Sequence, residues 1–175
     1  MITIRDARED DAKALLEIYS YYVEHTAISF ELTTPSLSEF KHRLTEIQKH
    51  YPYLVIEKDG VIKGYAYAHL FVGRDAYSYS AETTIYLDHD SKRCGLGRLL
   101  YEALEDRLKQ MGIINLYACI GVPSEEDGYL TNNSRDFHSH MGYRTVGTFN
   151  NCGRKFNKWY SMIWMEKLIG DHAAI

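Results

Sequence analysis

One stretch constrains this chain more than any other. The β-prone run Thr83-Thr84-Ile85-Tyr86-Leu87 passes through a polar turn into Lys92-Arg93-Cys94-Gly95-Leu96-Gly97-Arg98, and a helix is predicted from Arg98 to Met111. A strand feeding a glycine-bearing turn that opens a helix leaves several backbone N–H groups without intrahelical partners. They converge with the positive end of the helix dipole, which makes an anion site. Gly95 and Gly97 let a phosphate approach the backbone, and Lys92, Arg93 and Arg98 add positive charge. The plainer reading is a glycine-softened helix start with surface bases, and the glycines alone do not decide between them. Spacing excludes two sharper readings. A phosphate-binding Walker loop needs GxxxxGK[ST], and a dinucleotide fingerprint needs GxGxxG, whereas Leu100 stands at the third glycine position.

The rest of the chain supplies the frame around that junction. Ile2 to Arg5 alternates like a short strand. Between Asp10 and Val23 the residues Ala14, Leu15, Ile18 and Tyr22 recur at helical spacing, with Asp10 and Asp11 at the favoured end of the dipole. Ser36 followed by Glu39 predicts a capping box opening a helix to about Lys49. Tyr53 to Glu57 and Val61 to Phe71 flank Asp59-Gly60, a hairpin signal. A strand is predicted from about Tyr79 to Leu87. Leu100, Ala103, Leu104, Leu108 and Met111 give the next helix one apolar face before Gly112 stops it. Leu116 to Ile120 is a strand, Ser134 to His140 a short helix closed by Gly142, and Arg144 to Phe149 and Trp159 to Lys167 are the last strands. The order is strand, two helices, three strands, helix, strand, helix, two strands. It predicts an α/β (α+β) fold with a mixed, mostly antiparallel sheet flanked by helices, in a single domain over residues 1–175.

Composition narrows the function. With 175 residues and 45% hydrophobic content the chain fills one core, and a net charge of -4 argues against a nucleic-acid partner. No segment reaches the roughly 18 apolar residues that span a bilayer, and the first residues do not read as a secretory signal. Three widely spaced cysteines without a CxxC fit reduced thiols, so a cytoplasmic location and no membrane partner are expected. Eight histidines raise the question of a metal. His138 and His140 face different ways on a helix and no HExxH spacing occurs, so none is expected.

The strand–turn–helix junction resembles that of the GNAT N-acetyltransferase superfamily, whose signature is Gln or Arg followed by xxGxG or xxGxA. Lys92 takes the Gln/Arg position. The resemblance implies acetyl-coenzyme A as co-substrate, with the pyrophosphate on the amides of Arg93, Cys94, Gly95, Leu96, Gly97 and Arg98. The pantetheine arm would lie along Ile85, Tyr86 and Leu87. Within the superfamily the chain is similar to the phosphinothricin and methionine sulfoximine acetyltransferases over nearly its whole length. Tyr22 to Glu31 resembles YVxHTxxTFE, and Gly64 to Ala68 matches GYAYA. Arg74 to Tyr77 resembles RxAY and Ala81 to Leu87 resembles VExSVYV. His138 to Tyr143 resembles HExLGF, and Gly153 to Trp159 resembles GxKFGRW. The stretch SEEDGYLTNN over residues 124–133 departs from that family, being longer than its short link. Thr131 or Asn133 would take over the cofactor contact of the family's asparagine, and the polar insert is expected to cover one side of the site.

This resemblance implies an N-acetyltransferase acting on the primary amine of a small amino-acid-like molecule, working as a homodimer. Alternatives are another amine (a polyamine, an aminoglycoside or a protein N-terminus) or a coenzyme A-binding module without turnover. An alkyl amine is protonated at neutral pH, so transfer needs a base. Glu82, a glutamate in an otherwise apolar and hydroxylic strand, matches the family's base; the competing reading is a solvent-facing side chain. His138 is a second base or the acid for the leaving thiolate, suited by titration near neutrality, or a histidine that only binds its neighbours. Tyr86 either polarises the carbonyl or packs in the core. Arg74 is the natural partner of an acceptor carboxylate, and Phe30 and Thr83 complete the substrate site.

Overall fold

The computed structural model describes residues 1–91 and 94–174. Seven strands form one sheet: β1 (Ile2–Asp6), β2 (Tyr53–Lys58), β3 (Val61–Leu70), β4 (Ser80–Leu87), β5 (Asn115–Val122), β6 (Arg144–Lys155) and β7 (Lys158–Leu168). Their spatial order is β1-β2-β3-β4-β5-β7-β6. Neighbours are antiparallel except β4 and β5, whose parallel pairing needs a crossover. Helix α3 (Leu96–Gln110) supplies it. The expected element order and mixed sheet are therefore present.

Strand alternation sorts the helices onto two faces. Leu54 and Ile56 of β2, Ala66 and Ala68 of β3 and Leu116 of β5 pack under Leu100, Tyr101, Leu104 and Leu108 of α3. Tyr53, Val55 and Tyr65 point the other way, to α1 (Ala12–His25) and α2 (Leu37–Gln48). The short α4 (Asn133–His140) follows β5.

Several boundaries differ from the sequence expectation for physical reasons. Glu9–Asp11 form a 3-10 turn ahead of α1. There the Asp11 carboxylate accepts from the Arg8 amide at 2.6 Å and from the Arg5 guanidinium at 2.7 and 3.0 Å. The buried stripe of α1 is Ala12, Leu15, Tyr19 and Val23; its apolar residues are spread so widely that Ile18 and Tyr22 make an equally regular pattern. Ser36 caps α2 by accepting from the Glu39 amide at 3.1 Å. The reciprocal half of the capping box is replaced, because the Glu39 carboxylate binds Arg43 at 2.9 Å. Helix α3 starts at Leu96 rather than Arg98, and Met111 beyond its end is exposed while Tyr101 is buried. The Asp59–Gly60 turn has positive φ at both residues, the geometry its hairpin requires.

Candidate active site

The site begins where the sheet comes apart. The β4–β5 ladder holds only Ser80, Ala81 and Glu82 against Asn115, Leu116 and Tyr117. Beyond Glu82, β4 continues with β3 alone and β5 with β7. The gap is a cavity of about 460 Å³ walled by Glu82 to Tyr86 on one side and Ala118 to Gly121 on the other. Ile28 to Glu31 and the α4 residues Ser134 and His138 close it.

Glu82 stands at the point of divergence. Its carboxylate lies 3.7 Å from Nε2 of His69, its cross-strand neighbour on β3. Burial raises its pKa above the usual carboxylate range, and His69 opposes that shift. A half-buried carboxylate with so few fixed donors is a better proton acceptor than a solvated one. The solvent-facing reading of Glu82 is excluded by its place in the cavity wall.

His138 is arranged differently. It is 4% exposed, with Nδ1 2.7 Å from the Ser134 carbonyl and Nε2 2.9 Å from the Tyr101 hydroxyl. The carbonyl can only accept, so Nδ1 carries a proton toward it. The Tyr101 hydroxyl is also 2.8 Å from Thr83 Oγ1, which reaches the Tyr117 carbonyl at 3.2 Å. Burial lowers the pKa of His138 to about 4. The expectation of titration near neutrality is thus corrected: desolvation keeps this imidazole neutral. Thr83 lines the cavity but is 3% exposed and bound into this network, so its hydroxyl serves the fold.

Phe30 lines the cavity as expected, and its seat is built by absent side chains. A Cβ on Gly153 would lie 2.4 Å from the Phe30 ring, and one on Gly121 would lie 3.3 Å from it. Tyr86 packs its ring among Tyr19, Tyr22 and Tyr65, which favours the packing reading. Ile85 and Leu87 turn toward the α3 core, and the Leu87 carbonyl accepts from the Tyr22 hydroxyl.

At the start of α3, Gly95 has φ +75°, and a Cβ added there would meet nothing within 4 Å. This left-handed backbone is the reason for glycine there. Gly97 has a packing reason as well as the expected one of phosphate access. It is buried, and a Cβ would meet Leu87 at 3.1 Å and Phe137 at 3.3 Å. Leu96 is 2% exposed and packs in the core, so only its backbone is available to a ligand. Arg98 is exposed and paired with Glu102 at 2.7 Å. Cys94 is exposed. Lys92 and Arg93 lie outside the described residues.

Leu87 and the α3 start from Cys94 to Arg98 do not line the cavity, and two further expected site residues, Arg74 and Asn133, are not brought to it. Arg74 is exposed in the segment after β3, before a 3-10 turn at Asp75–Tyr77, and does not line it. The loop carries Arg74 beyond Leu70, on from the His69–Glu82 pair. Asn133 is exposed at the first residue of α4, where its amide donates to Thr131 Oγ1 at 3.4 Å; Ser134 lines the cavity instead. The insert is a structured clamp more than a cover. Asp127 accepts from the Tyr129 and Leu130 amides, from Lys158 Nζ at 2.9 Å and from the Tyr160 hydroxyl at 3.0 Å. These donors outweigh its partial desolvation and lower its pKa to about 2. Leu130 is buried with Ala27 and Tyr160.

Sequence reasoning missed His69, Cys119 and Gly121. Cys119 lines the cavity with its thiol pushed up to about 12 by burial, so it is a neutral wall group. The Gly64 to Ala68 motif points to His69 only once the β3–β4 register is known. Among the described residues, Asp88, His89 and Asp90 are close enough together to share a cation. Asp88, however, is held by Lys63 at 2.7 Å and the His89 ring stacks on Tyr21 at 4.0 Å.

Residues 4–164 match the family model described as acetyltransferase (GNAT) domain. The chain belongs to this family. Among its relatives is a phosphinothricin N-acetyltransferase of Streptomyces viridochromogenes, 32% identical over 95% of this chain and 87% of that protein. An L-methionine sulfoximine/L-methionine sulfone acetyltransferase of Salmonella typhimurium is 29% identical over 99% of this chain and 98% of its own. A solved phosphinothricin acetyltransferase from Sinorhizobium meliloti, in complex with AcCoA, superposes with a TM-score of 0.90. It is 30% identical and covers 99% of this chain and 91% of that one. The protein is therefore an acetyl-coenzyme A-dependent acetyltransferase. The residues present fit that co-substrate: a β4 edge released from β5 beside a cavity, ending at a left-handed glycine that opens α3. Among the described residues, no helix is long and apolar enough to cross a membrane.

Proposed function

We propose that the enzyme transfers the acetyl group to the primary amine of a small amino-acid-like acceptor of the phosphinothricin or methionine sulfoximine type. The observation that carries this reading is Glu82, a carboxylate of raised pKa at the point where β4 and β5 part. Bound acetyl-coenzyme A supplies the thioester carbonyl that the amine attacks. The β4 edge at Ile85, Tyr86 and Leu87 and the backbone at Cys94, Gly95 and Leu96 hold it. An ammonium must lose two protons as it becomes an amide. Glu82 takes the first, which frees the nitrogen lone pair to form the C–N bond, and the second ends on the sulfur as the C–S bond breaks. His138, neutral and with both nitrogens engaged, ties α4 to Tyr101 of α3 instead of moving protons.

The relatives' names support the acceptor class. One observation favours a second reading. Among the described residues, the cavity lining includes Glu31 and Glu82 but no lysine or arginine. Such a wall suits an amine without a carboxylate, a polyamine or a protein N-terminus. Free-thiol release with acetyl-coenzyme A and a panel of amines separates the two. Faster turnover of amino-acid analogues than of spermidine or a peptide supports the first; the reverse order overturns it. We also propose a cytoplasmic homodimer, supported by the exposed apolar side chains of the β6–β7 hairpin, Val146, Phe149 and Trp159.

A further inference from the structure

A second compartment lies beside the cleft. On the face that α1 and α2 partly cover, β3 presents Tyr65, Tyr67 and His69 opposite Tyr86, Thr84 and Glu82 of β4. Tyr53 of β2 lies opposite Tyr67. Tyr67 thus stands one row from the His69–Glu82 pair, and it lines both the first cavity and a second one of about 350 Å³. The floor of this second compartment is a set of near-parallel rings. Tyr53 and Tyr67 are 4.7 Å apart and Tyr53 and Tyr65 5.6 Å apart, at 15° and 18°. Phe40, Arg43 and Ile47 of α2 form its side.

Two features show what it accepts. First, the side chains of Tyr53 and Tyr65 are almost wholly buried, at 3% and 1% exposure, yet their hydroxyls have no hydrogen-bond partner among the described residues. Neither is sealed, because among those residues Glu105 Oε1 is the fully buried side-chain polar atom left without a bond. Both phenols therefore reach the compartment. Second, the charged groups of the wall are already matched: Arg43 binds Glu31 at 2.8 Å and Glu39 at 2.9 Å, and Glu46 binds Lys49 at 2.5 Å with His42 at 3.9 Å. Glu31 also accepts from the Tyr19 hydroxyl at 2.6 Å and lines the first cavity, so one carboxylate joins the two spaces.

We infer that this compartment receives the side chain of the acceptor and that Tyr53 and Tyr65 bind a neutral, hydrogen-bonding group at its tip. A charged tip would be stripped of water against rings with no free counter-charge, so of the two proposed acceptor types the neutral sulfoximine, rather than the anionic phosphinate, suits this compartment. A side chain ending at the α-carbon's first substituent would stop short of Tyr67, since successive rows on one face of a strand are about 7 Å apart. The inference rests on the reading that Glu82 holds the amine.

The test compares kcat and KM for alanine, norleucine, glutamine, methionine sulfone and lysine in the wild type, Tyr53→Phe and Tyr65→Phe. Each phenylalanine keeps the ring stack and removes one hydroxyl. KM for glutamine and methionine sulfone should rise about 5- to 10-fold, the span of one buried hydrogen bond. KM for alanine and norleucine, and kcat for all, should hold. Equal effects on every acceptor, or none on any, overturn the inference. Ile47→Phe narrows the compartment from α2 and serves if a tyrosine variant fails to fold. It should raise KM for the long side chains and spare alanine, and a uniform change overturns the inference equally. Glu82→Gln in parallel keeps the readings apart, because loss of the base lowers kcat for every acceptor and leaves the KM ranking intact.

Discussion

The two walls of the cleft treat their titratable groups in opposite ways. On the β4 wall, Glu82 is half-buried, faces an open cavity and has one distant partner, His69 at 3.7 Å. On the α4 wall, His138 is sealed, and both ring nitrogens are within 3 Å of protein acceptors or donors. Desolvation acts on both. It raises the acid and so makes Glu82 a stronger base, whereas it lowers the imidazole and removes its charge from the neutral range. Residue type suggests two interchangeable catalytic groups. Burial and saturation of hydrogen bonds separate a group that can exchange a proton with a ligand from one that holds an element in place.

The largest effect expected on this contrast is on catalysis. Glu82→Gln preserves shape and removes the base, so kcat at pH 7 should fall by roughly 10² to 10⁴. Binding of acetyl-coenzyme A, followed by calorimetry, should hardly change. A mutant within threefold of wild type would break the assignment of the β4 wall.

His138→Ala should instead cost stability, about 3 kcal/mol in denaturant unfolding, for the void and the lost bonds of the imidazole to Tyr101 and Ser134. The pH dependence follows from a folded-state value of about 4 against an ordinary value near 6.5. The unfolded chain binds the proton more readily, so the wild type keeps this contribution above pH 6.5 and loses it as pH falls toward 4. The mutant should lack that slope. If it keeps the slope, or if stability is unchanged while kcat collapses, the α4 wall is catalytic after all.

A smaller loss is expected for Asp127→Asn, about 1 kcal/mol, since the amide keeps part of the bonding to the backbone but weakens the contacts with Lys158 and Tyr160. Acetyltransfer should be untouched, because the clamp ties the insert to β7 and not to the cavity. Of similar size is Gly95→Ala. No atom obstructs the new methyl group, so only the left-handed backbone is strained, by about 1 kcal/mol. If the α3 start holds the co-substrate, its affinity should fall severalfold in titration; unchanged affinity would detach that turn from the cleft.

Much of this fold was legible because its signals are local. The Asp59–Gly60 turn, the Ser36 cap and the Gly95 junction each depend on a few adjacent residues, and all three are where the sequence places them. The place of Glu82 in the cavity wall was legible as well, since a lone carboxylate in a strand calls for a reason. What the sequence withheld is long-range. Arg74 and Asn133 were placed by resemblance, but the course of the loop after β3 and of the insert before α4 decides where they end. The saturation of His138 depends on Tyr101, thirty-seven residues away on another helix. Gly121 and Gly153 mark a seat for Phe30 that appears only when β5 and β6 are brought beside residues 28–31.

The central claim is that Glu82 takes the first proton from a bound ammonium, and the pH profile of kcat/KM tests it most directly. For an acceptor with an amine pKa near 9, the wild type should show a plateau. The plateau runs from the raised titration of Glu82 up to that of the amine, because carboxylate and ammonium are both in their reactive forms between them. In Glu82→Gln only the free amine reacts, so log kcat/KM should climb with unit slope over the same range and approach wild type at its alkaline end. Two profiles of the same shape, offset or not, would contradict the account.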